Sequence, residues 1–310
     1  VDWNNDIIWV KNTSSTDFTA EPLDIGDSSS VITITAVEGS DAESQGAVHW
    51  VNRDARSSYG ITQTIVAPNV DKGGEVGNSV AVSGNGTYLV IGAPGGPDDS
   101  ASNDRGTVYV YKYAKDGSST RYDLHQTLTP TATSQLGARF GEQVSISSDG
   151  NTITVSSPKY DNDSTTADEG RVYVYRLKND VFYEHEFLTP QLIDNIQFGT
   201  SIDISSDGTD LMIGAPRYSG QVQVEGGVFH YTKNTFTATG DGSTTQFDLG
   251  FTVDHSRAVG VFVSNTNYVQ NDDSSTTPFY TLDGSSNTIN LSSAPASGSV
   301  IEITQYTLTN

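Results

Sequence analysis

The feature that most constrains this chain is that it repeats itself. Residues 77–113 (GNSVAVSGNGTYLVIGAP…DRGTVYVYKY), 140–177 (FGEQVSISSDGNTITVSSP…DEGRVYVYRL) and 198–233 (FGTSIDISSDGTDLMIGAP…EGGVFHYTK) follow one pattern, and their turn glycines Gly86, Gly150 and Gly208 lie 64 and 58 residues apart. A weaker fourth copy spans 18–51, where Gly46 stands 60 residues before Gly106, the equivalent glycine ahead of a Val-Tyr-rich strand. Each copy reads as four strands, expected at 143–147, 152–156, 171–176 and 184–188 in the second clear copy. They are joined by Ser-Asp-Gly or Gly-Asn-Gly turns whose residues tolerate positive φ. A four-stranded antiparallel unit at this period cannot bury both faces alone, and radial stacking of such units is the propeller solution. The fold expected is therefore all-β, a β-propeller.

Two small pairs, Gly92-Ala93 and Gly214-Ala215, are each followed by a proline, Pro94 and Pro216. They are expected to let neighbouring blades approach closely and to end the second strand; Ser156-Ser157 stands in their place in the second clear copy. Together with Phe140-Gly141 and Phe198-Gly199, these residues resemble the FG-GAP repeats of integrin-α-like propellers. The likeness covers about 18–233, in the variant with an S-x-D-G turn and a G-x-V-Y-V-Y strand common in large microbial and viral surface proteins. Val76-Gly77 replaces the first Phe-Gly, and the copy at 18–51 lacks both signatures. About four repeats are visible against the seven blades usual in that family, which leaves ring closure open. Blades are expected near 18–75, 76–139, 140–197 and 198–233. The last lacks an obvious fourth strand, while residues 6–11 (DIIWVK), within 1–17, are an unpartnered candidate for a closing strand.

From about Phe236 the pattern changes to alternating strands separated by Asp-Gly, Ser-Asn and Ala-Pro-Ala-Ser-Gly turns, expected to form a β-sandwich module over 235–310. It resembles a module found repeatedly in tail fibres and appendages of tailed phages. Domain boundaries are therefore expected at 1–234 and 235–310.

With 38 acidic against 16 basic residues, a net charge of −22, the chain is expected to repel nucleic acid and anionic lipid. No apolar run approaches the roughly 18–20 residues that span a bilayer, so no membrane insertion is expected. There is no cysteine, hence no thiolate nucleophile and no Cys-based metal site. The chain starts at Val1 and its one methionine is Met212, which points to processing or to a piece of something longer.

No catalytic residue stands out. The five histidines, His49, His125, His185, His230 and His255, are scattered, and Asp254-His255-Ser256 is contiguous, which is not how triads are built. His49 and His230 are read as equivalent third-strand positions. Paired carboxylates could in principle hydrolyse glycans, but Asp161/Asp163, Asp168/Glu169, Asp98/Asp99 and Asp272/Asp273 all lie in polar loops, where a solvated acidic surface is the ordinary reading. The chain is therefore expected not to be an enzyme. For Ca²⁺, Asp161, Asp163 and Asp168 form a partial oxygen-rich loop. The Ca²⁺ loop of the resembling family is not carried over, because its positions read Ser147-Ser148-Asp149-Gly150 and Ser205-Ser206-Asp207-Gly208. Period two puts Val108/Val110 and Val172/Val174 on one face and Tyr109/Tyr111/Tyr113 and Tyr173/Tyr175 on the other, faces expected to pack between blades. Tyr160 and Tyr218, on loops, are the candidate ligand-binding aromatics.

The two resemblances imply a virion structural protein of a tailed phage: a tail fibre, spike or capsid appendage on the virion surface. It would display loops that adhere to host-surface glycan or protein. Other virion proteins and sibling chains, in a homo-oligomer with a trimer favoured, are the expected partners. The alternatives are a secreted adhesin on a bacterial cell surface and a glycan depolymerase.

Overall fold

The computed structural model describes residues 31–35, 46–53, 59–68, 73–96, 105–117, 119–130, 137–161, 168–189, 195–218, 226–253, 259–264, 266–270, 279–282 and 287–309. Every regular element among them is a strand. The first sheet is β1 (Val31–Thr35), β2 (Ala47–Arg53) and β3 (Tyr59–Ile65), in that order. The next is β4 (Ser79–Val82), β5 (Tyr88–Ala93), β6 (Thr107–Asp116) and β7 (Ser119–Leu128); a third holds β8 (Val144–Ile146), β9 (Thr152–Ser157), β10 (Arg171–Lys178) and β11 (Val181–Leu188). We call these blades 1 to 3. The innermost strands β4 and β8 lie against each other, and the third strands of all three blades carry an irregular register at the same place, between Trp50 and Val51, Val110 and Tyr111, and Val174 and Tyr175. A β-bulge repeated at this position adds the same local twist to each blade.

Alternation along the third strand decides what each face meets. Val108 and Val110 face blade 3 and share a core cluster with Ile153, Val155, Tyr173 and Tyr175; Tyr109 and Tyr111 face blade 1 and cluster with Val48 and Trp50. Val172 and Val174 in turn cluster with Leu211 and Ile213 of the following blade. Valines therefore face forward and tyrosines backward in both copies, as the two-residue period implies.

Blade 4 begins with β12 (Ser201–Ile204), β13 (Asp210–Ala215) and β14 (Gly227–Thr239). Its fourth strand comes from the far end of the chain. The last strand, β20 (Val300–Leu308), pairs along its whole length with β14, from Tyr231↔Leu308 to Thr239↔Val300. Tyr306 lies opposite Lys233, just as Tyr122 lies opposite Tyr113 in blade 2 and Phe182 opposite Leu177 in blade 3. Its hydroxyl donates to the carbonyl of Gly208, and the Tyr122 hydroxyl donates to Gly86 O at 2.8 Å. The place that residues 6–11 were expected to fill is thus held by β20; residues 6–11 themselves lie outside the described residues.

The expected boundary at 234/235 falls inside the single strand β14. Between β14 and β20 the chain forms β15 (Gln246–Asp248), β16 (Gly260–Val263), β17 (Thr266–Gln270), β18 (Phe279–Leu282) and β19 (Thr288–Leu291), in a nine-stranded sheet ordered β12-β13-β14-β20-β16-β17-β18-β19-β15. The C-terminal module is one curled sheet closing over Val261, Tyr280, Ile289, Ile301 and Ile303, each almost fully buried. It is inserted into the last blade.

The module also meets blade 3. His185 on β11 lies flat against Phe262 on β16, with ring centroids 5.7 Å apart and planes 7° off parallel, and its Nε2 meets the Thr304 hydroxyl. A Cβ on Gly260 would fall on the imidazole. Arg176 and Lys178 each reach Glu302 at 2.7 Å, and the Tyr306 N–H donates to Glu186 at 2.8 Å. Burial opposes ionisation of Glu302, yet the two cations hold its carboxyl below the usual range. Burial, with Arg176, Lys233 and Lys178 nearby, pushes the His185 imidazole well down, so it is neutral at pH 7.

If β20 completes blade 4, Tyr306→Ala should cost about 3–5 kcal/mol of unfolding free energy, the range for deleting a buried aromatic ring. Tyr306→Phe, which loses only the hydrogen bond to Gly208, should cost about 1 kcal/mol. Urea unfolding followed by tryptophan fluorescence measures both.

Candidate functional site

The blades are joined at one recurring contact. Gly46, Gly106 and Gly170 each precede a third strand with φ of 77°, 82° and 89°. A Cβ there would stand 2.0, 1.9 and 2.1 Å from the carbonyl oxygens of Val76, Phe140 and Phe198, the residues that open the following blade. Only glycine admits both that φ and that approach. The Phe140 and Phe198 N–H groups donate back across the junction to Arg105 O (3.0 Å) and Glu169 O (2.9 Å). Each Phe ring then packs edge-on beneath its own blade's third strand, Phe140 against Tyr173 at 5.2 Å and Phe198 against Phe229 at 5.3 Å. Gly141 O approaches Gly92 so closely that a Cβ there would be 2.1 Å away, whereas Gly214 is crowded by Ser201 of its own blade. Ala93 and Ala215 are buried beside these glycines, and Pro94 and Pro216 begin the outgoing loops.

At the opposite end of the blades the S-x-[DN]-G turns share a second contact set. Ser83, Ser147 and Ser205 donate to Asn85, Asp149 and Asp207 at 2.8, 2.5 and 2.8 Å, and those side chains accept the N–H of Thr87, Asn151 and Thr209. Hydrogen bonds from Thr209 and Ser205 hold the Asp207 carboxyl down to about 2. These two aspartates occupy the positions of the resembling family's cation loop. Both oxygens of Asp149 and Oδ1 of Asp207 accept hydrogen bonds from within their own turns.

Tyr160 is 7% exposed, and the Arg171 guanidinium covers its ring at 3.8 Å from the centroid, so it is a buried support rather than an exposed aromatic. Tyr218 occupies the same step of blade 4, donating to Ala215 O as Tyr160 does to Ser157 O, and is half-buried against Phe229 at 5.3 Å. The Asp161 carboxylate accepts the Asp168 N–H at 2.7 Å across the neck of its loop. Asp163 lies outside the described residues, as do Asp98, Asp99, Asp254, His255, Ser256, Asp272 and Asp273. Among the described residues no three acidic or histidine side chains converge as metal ligands. His49 and His230 are not equivalent: His49 is three residues after Gly46 and His230 four after Gly226, a one-residue offset that puts them on opposite faces.

What the copy-by-copy reading missed is the outward face of blade 4. Met212 and Val228 take the places of Val90 and Val108 but are 45% and 70% exposed, against 0% for both counterparts. His230 replaces Val110 and holds Asp210, the counterpart of Tyr88, at 2.7 Å; Asp203 replaces Ala81. The signal was present in the alignment of the copies, as charged and histidine side chains at forward-facing positions.

Residues 59–111 match the family model of the FG-GAP repeat. The matched stretch runs from β3 through most of β6, so one FG-GAP repeat as a sequence unit links the outer strand of one blade to three strands of the next. A curated relative, integrin alpha-2 of Bos taurus, is 30% identical over 168 residues, covering 49% of this chain and 13% of the integrin. Solved structures with low overall similarity include the periplasmic gluconolactonase PpgL of Pseudomonas aeruginosa (TM-score 0.37, 16% identity, 65% of this chain and 49% of that one). Trypanosoma rangeli sialidase is another (TM-score 0.35, 11% identity, 88% and 54%).

Two outcomes follow. Gly106→Ala should destabilise by about 3 kcal/mol or more, since strain and a backbone clash add. Gly117→Ala, at φ 58° with no atom within 4 Å of the new Cβ, should cost about 1–2 kcal/mol; chemical denaturation of both variants is the check. The Asp207 carboxyl has a folded pKa below its unfolded value, so its contribution is complete above about 4 and is lost as pH falls through about 2. Asp207→Asn, matching Asn85, should keep the turn and remove that contribution to the acid dependence, read by unfolding at pH 7 and pH 2.5.

Proposed function

We propose that the chain is an adhesion module of a surface structure, with a tailed-phage virion appendage as the setting. The observation that carries the adhesion reading is the division of labour within each blade. The contacts that join blades come from the G-x-V-Y-V-Y strand and the Val/Phe-Gly pair, described above, and from the S-x-[DN]-G turn, where the Ser148 N–H donates to Ser206 O of the next blade at 2.9 Å. The loops between second and third strands enter them only at their described bases, where Arg105 O and Glu169 O accept the Phe140 and Phe198 N–H groups; residues 97–104, 162–167 and 219–225 lie outside the described residues. The loops leave at equivalent residues, where Gly96, Tyr160 and Tyr218 donate to Ala93, Ser157 and Ala215, and return at Gly106, Gly170 and Gly226. Between those fixed ends the sequences PDDSASNDR, DNDSTTADE and SGQVQVE are unrelated. A rigid frame with loops free to vary suits recognition of one surface feature after another.

The FG-GAP match and the integrin relative support the adhesion reading, and the C-terminal module's resemblance to phage appendage modules supports the virion setting. On this reading the partner is a glycan or protein of a host surface, contacted weakly by each copy and held by several copies together. A homo-oligomer, a trimer by that same resemblance, supplies the copies. The net charge of −22 favours neutral or cationic features of that surface.

Replacing residues 97–104 and 162–167 with Gly-Ser segments of equal length should leave the unfolding midpoint within about 0.5 kcal/mol. The same replacement should abolish retention of the fluorescent chain on host cells. Retention unchanged by both replacements would move recognition away from these loops. Mass spectrometry of purified virions tests the setting, with absence of the chain favouring a bacterial surface adhesin.

A further inference from the structure

Each described junction between blades also carries a side-chain clasp along the fourth strands. Gln63 on β3 donates to Tyr122 O at 2.9 Å and accepts the Tyr122 N–H at 2.8 Å, and Gln126 on β7 holds Phe182 in the same way, 2.8 Å in both directions. At the third junction Glu186 on β11 stands in that place and accepts the Tyr306 N–H at 2.8 Å. A glutamate brings no amide donor, so the third clasp is built differently. The residue before the clasp differs as well. His125 is partly open to water, and its Nε2 meets the Asp180 carbonyl at 2.8 Å. Its counterpart His185 is buried: Phe262 lies on its face, Gly260 leaves it the space of a missing Cβ, and the Thr304 hydroxyl meets its Nε2.

This enclosure suits a neutral imidazole and not a charged one. A protonated ring must place two N–H groups. The Nδ1 atom is buried with no hydrogen-bond partner among the described residues, and the Thr304 hydroxyl at Nε2 already accepts from Arg176 at 3.4 Å. The charged groups around the ring are Arg176 and Lys178 on β10, Lys233 on β14, Glu302 on β20, and Glu184 and Glu186 beside it on β11. The Tyr306 phenol faces it from β20, and β16 carries no titratable side chain. We propose that this joint is a proton-driven latch: β11 is closed on β16 and β20 while the His185 imidazole is neutral, and proton uptake by that ring separates them. Burial and the three cations hold the closed ring well below the value of about 6.5 that an imidazole has in water. The latch is therefore at full strength above about pH 6.5. Below it the ratio of closed to open joints falls about tenfold per pH unit, until the closed ring itself titrates. Glu302, whose carboxyl its two cations hold below the usual range, keeps its charge through that window.

The N–H groups of Tyr122, Phe182 and Tyr306 each bind the clasp residue of the blade before, so their exchange with solvent compares the three junctions in one sample. Exchange is followed by NMR on the full chain between about pH 7.5 and 5, with each rate divided by its intrinsic value at that pH. Tyr306 is expected to lose about tenfold in protection per pH unit below about 6.5, with Tyr122 and Phe182 unchanged. His185→Gln, which can still meet Thr304 and cannot take up a proton, should flatten the Tyr306 profile. Retained protection at Tyr122 and Phe182 shows that this variant folds. A flat Tyr306 profile in the parent, or an equal fall at all three amides, overturns the proposal. So does the same fall in His185→Gln, which would place the titration outside the ring. Should that variant fail to fold, the parent decides through the His185 ring signals, identified by their contacts to Phe262. Titration below about 6.5 that tracks the loss at Tyr306 supports the latch, and titration at or above that value overturns it.

Discussion

The whole arrangement depends on a backbone-to-backbone approach that leaves no room for a side chain. At Gly46, Gly106 and Gly170 the chain turns left-handed and the carbonyl of the next blade's first residue occupies the space of the missing Cβ. The contact fixes two blades relative to each other independently of what their loops contain. The apolar residue before the second glycine then fixes the angle. Phe140 and Phe198 are wholly buried between the forward valines of one blade and the aromatic face of the next. Burial of such a ring stabilises by about 2–3 kcal/mol, and the junction repeats, so the blades behave as a stack of near-identical interfaces.

The last blade departs from the stack at both ends of its sheet. Its outer strand is β20, delivered after an insertion that forms a curled sheet of its own, so β14 belongs to both parts without a break. His185, Phe262, Thr304 and the Arg176/Lys178–Glu302 cluster then tie that insertion to blade 3. The ion pairs are partly buried and share one carboxylate, so removing Glu302 would leave both cations without it, whereas losing either cation leaves Glu302 with the other. The two parts read from sequence as separate domains share β14 and β20.

This matters for the adhesion reading. A module joined by a flexible linker would leave the loops free to reorient, whereas a continuous strand transmits orientation from the C-terminal part to the blades. The outward face of blade 4 breaks the pattern of its predecessors, with Met212 and Val228 exposed beside Asp203 and the Asp210–His230 pair. It is the one described blade face at which a filled junction would be expected and none is seen among the described residues.

The sequence by itself determined the blades. Period-two alternation assigned Val108/Val110 and Tyr109/Tyr111 to opposite faces, and the spacing of Gly86, Gly150 and Gly208 located the turns, because both signals are local. It also marked the glycines and the Phe-Gly pairs, though not which pair meets which glycine. Only the tertiary structure decided that β20 is the fourth strand of blade 4, that Tyr160 is covered by Arg171, and that His49 and His230 face opposite ways. A fourth strand that arrives after an inserted sheet leaves no periodic trace beside its partner. Burial of a loop tyrosine depends on an arginine eleven residues away. The offset of the two histidines is a single residue counted from a junction glycine, and that glycine's role is visible only once the next blade's carbonyl is seen against it.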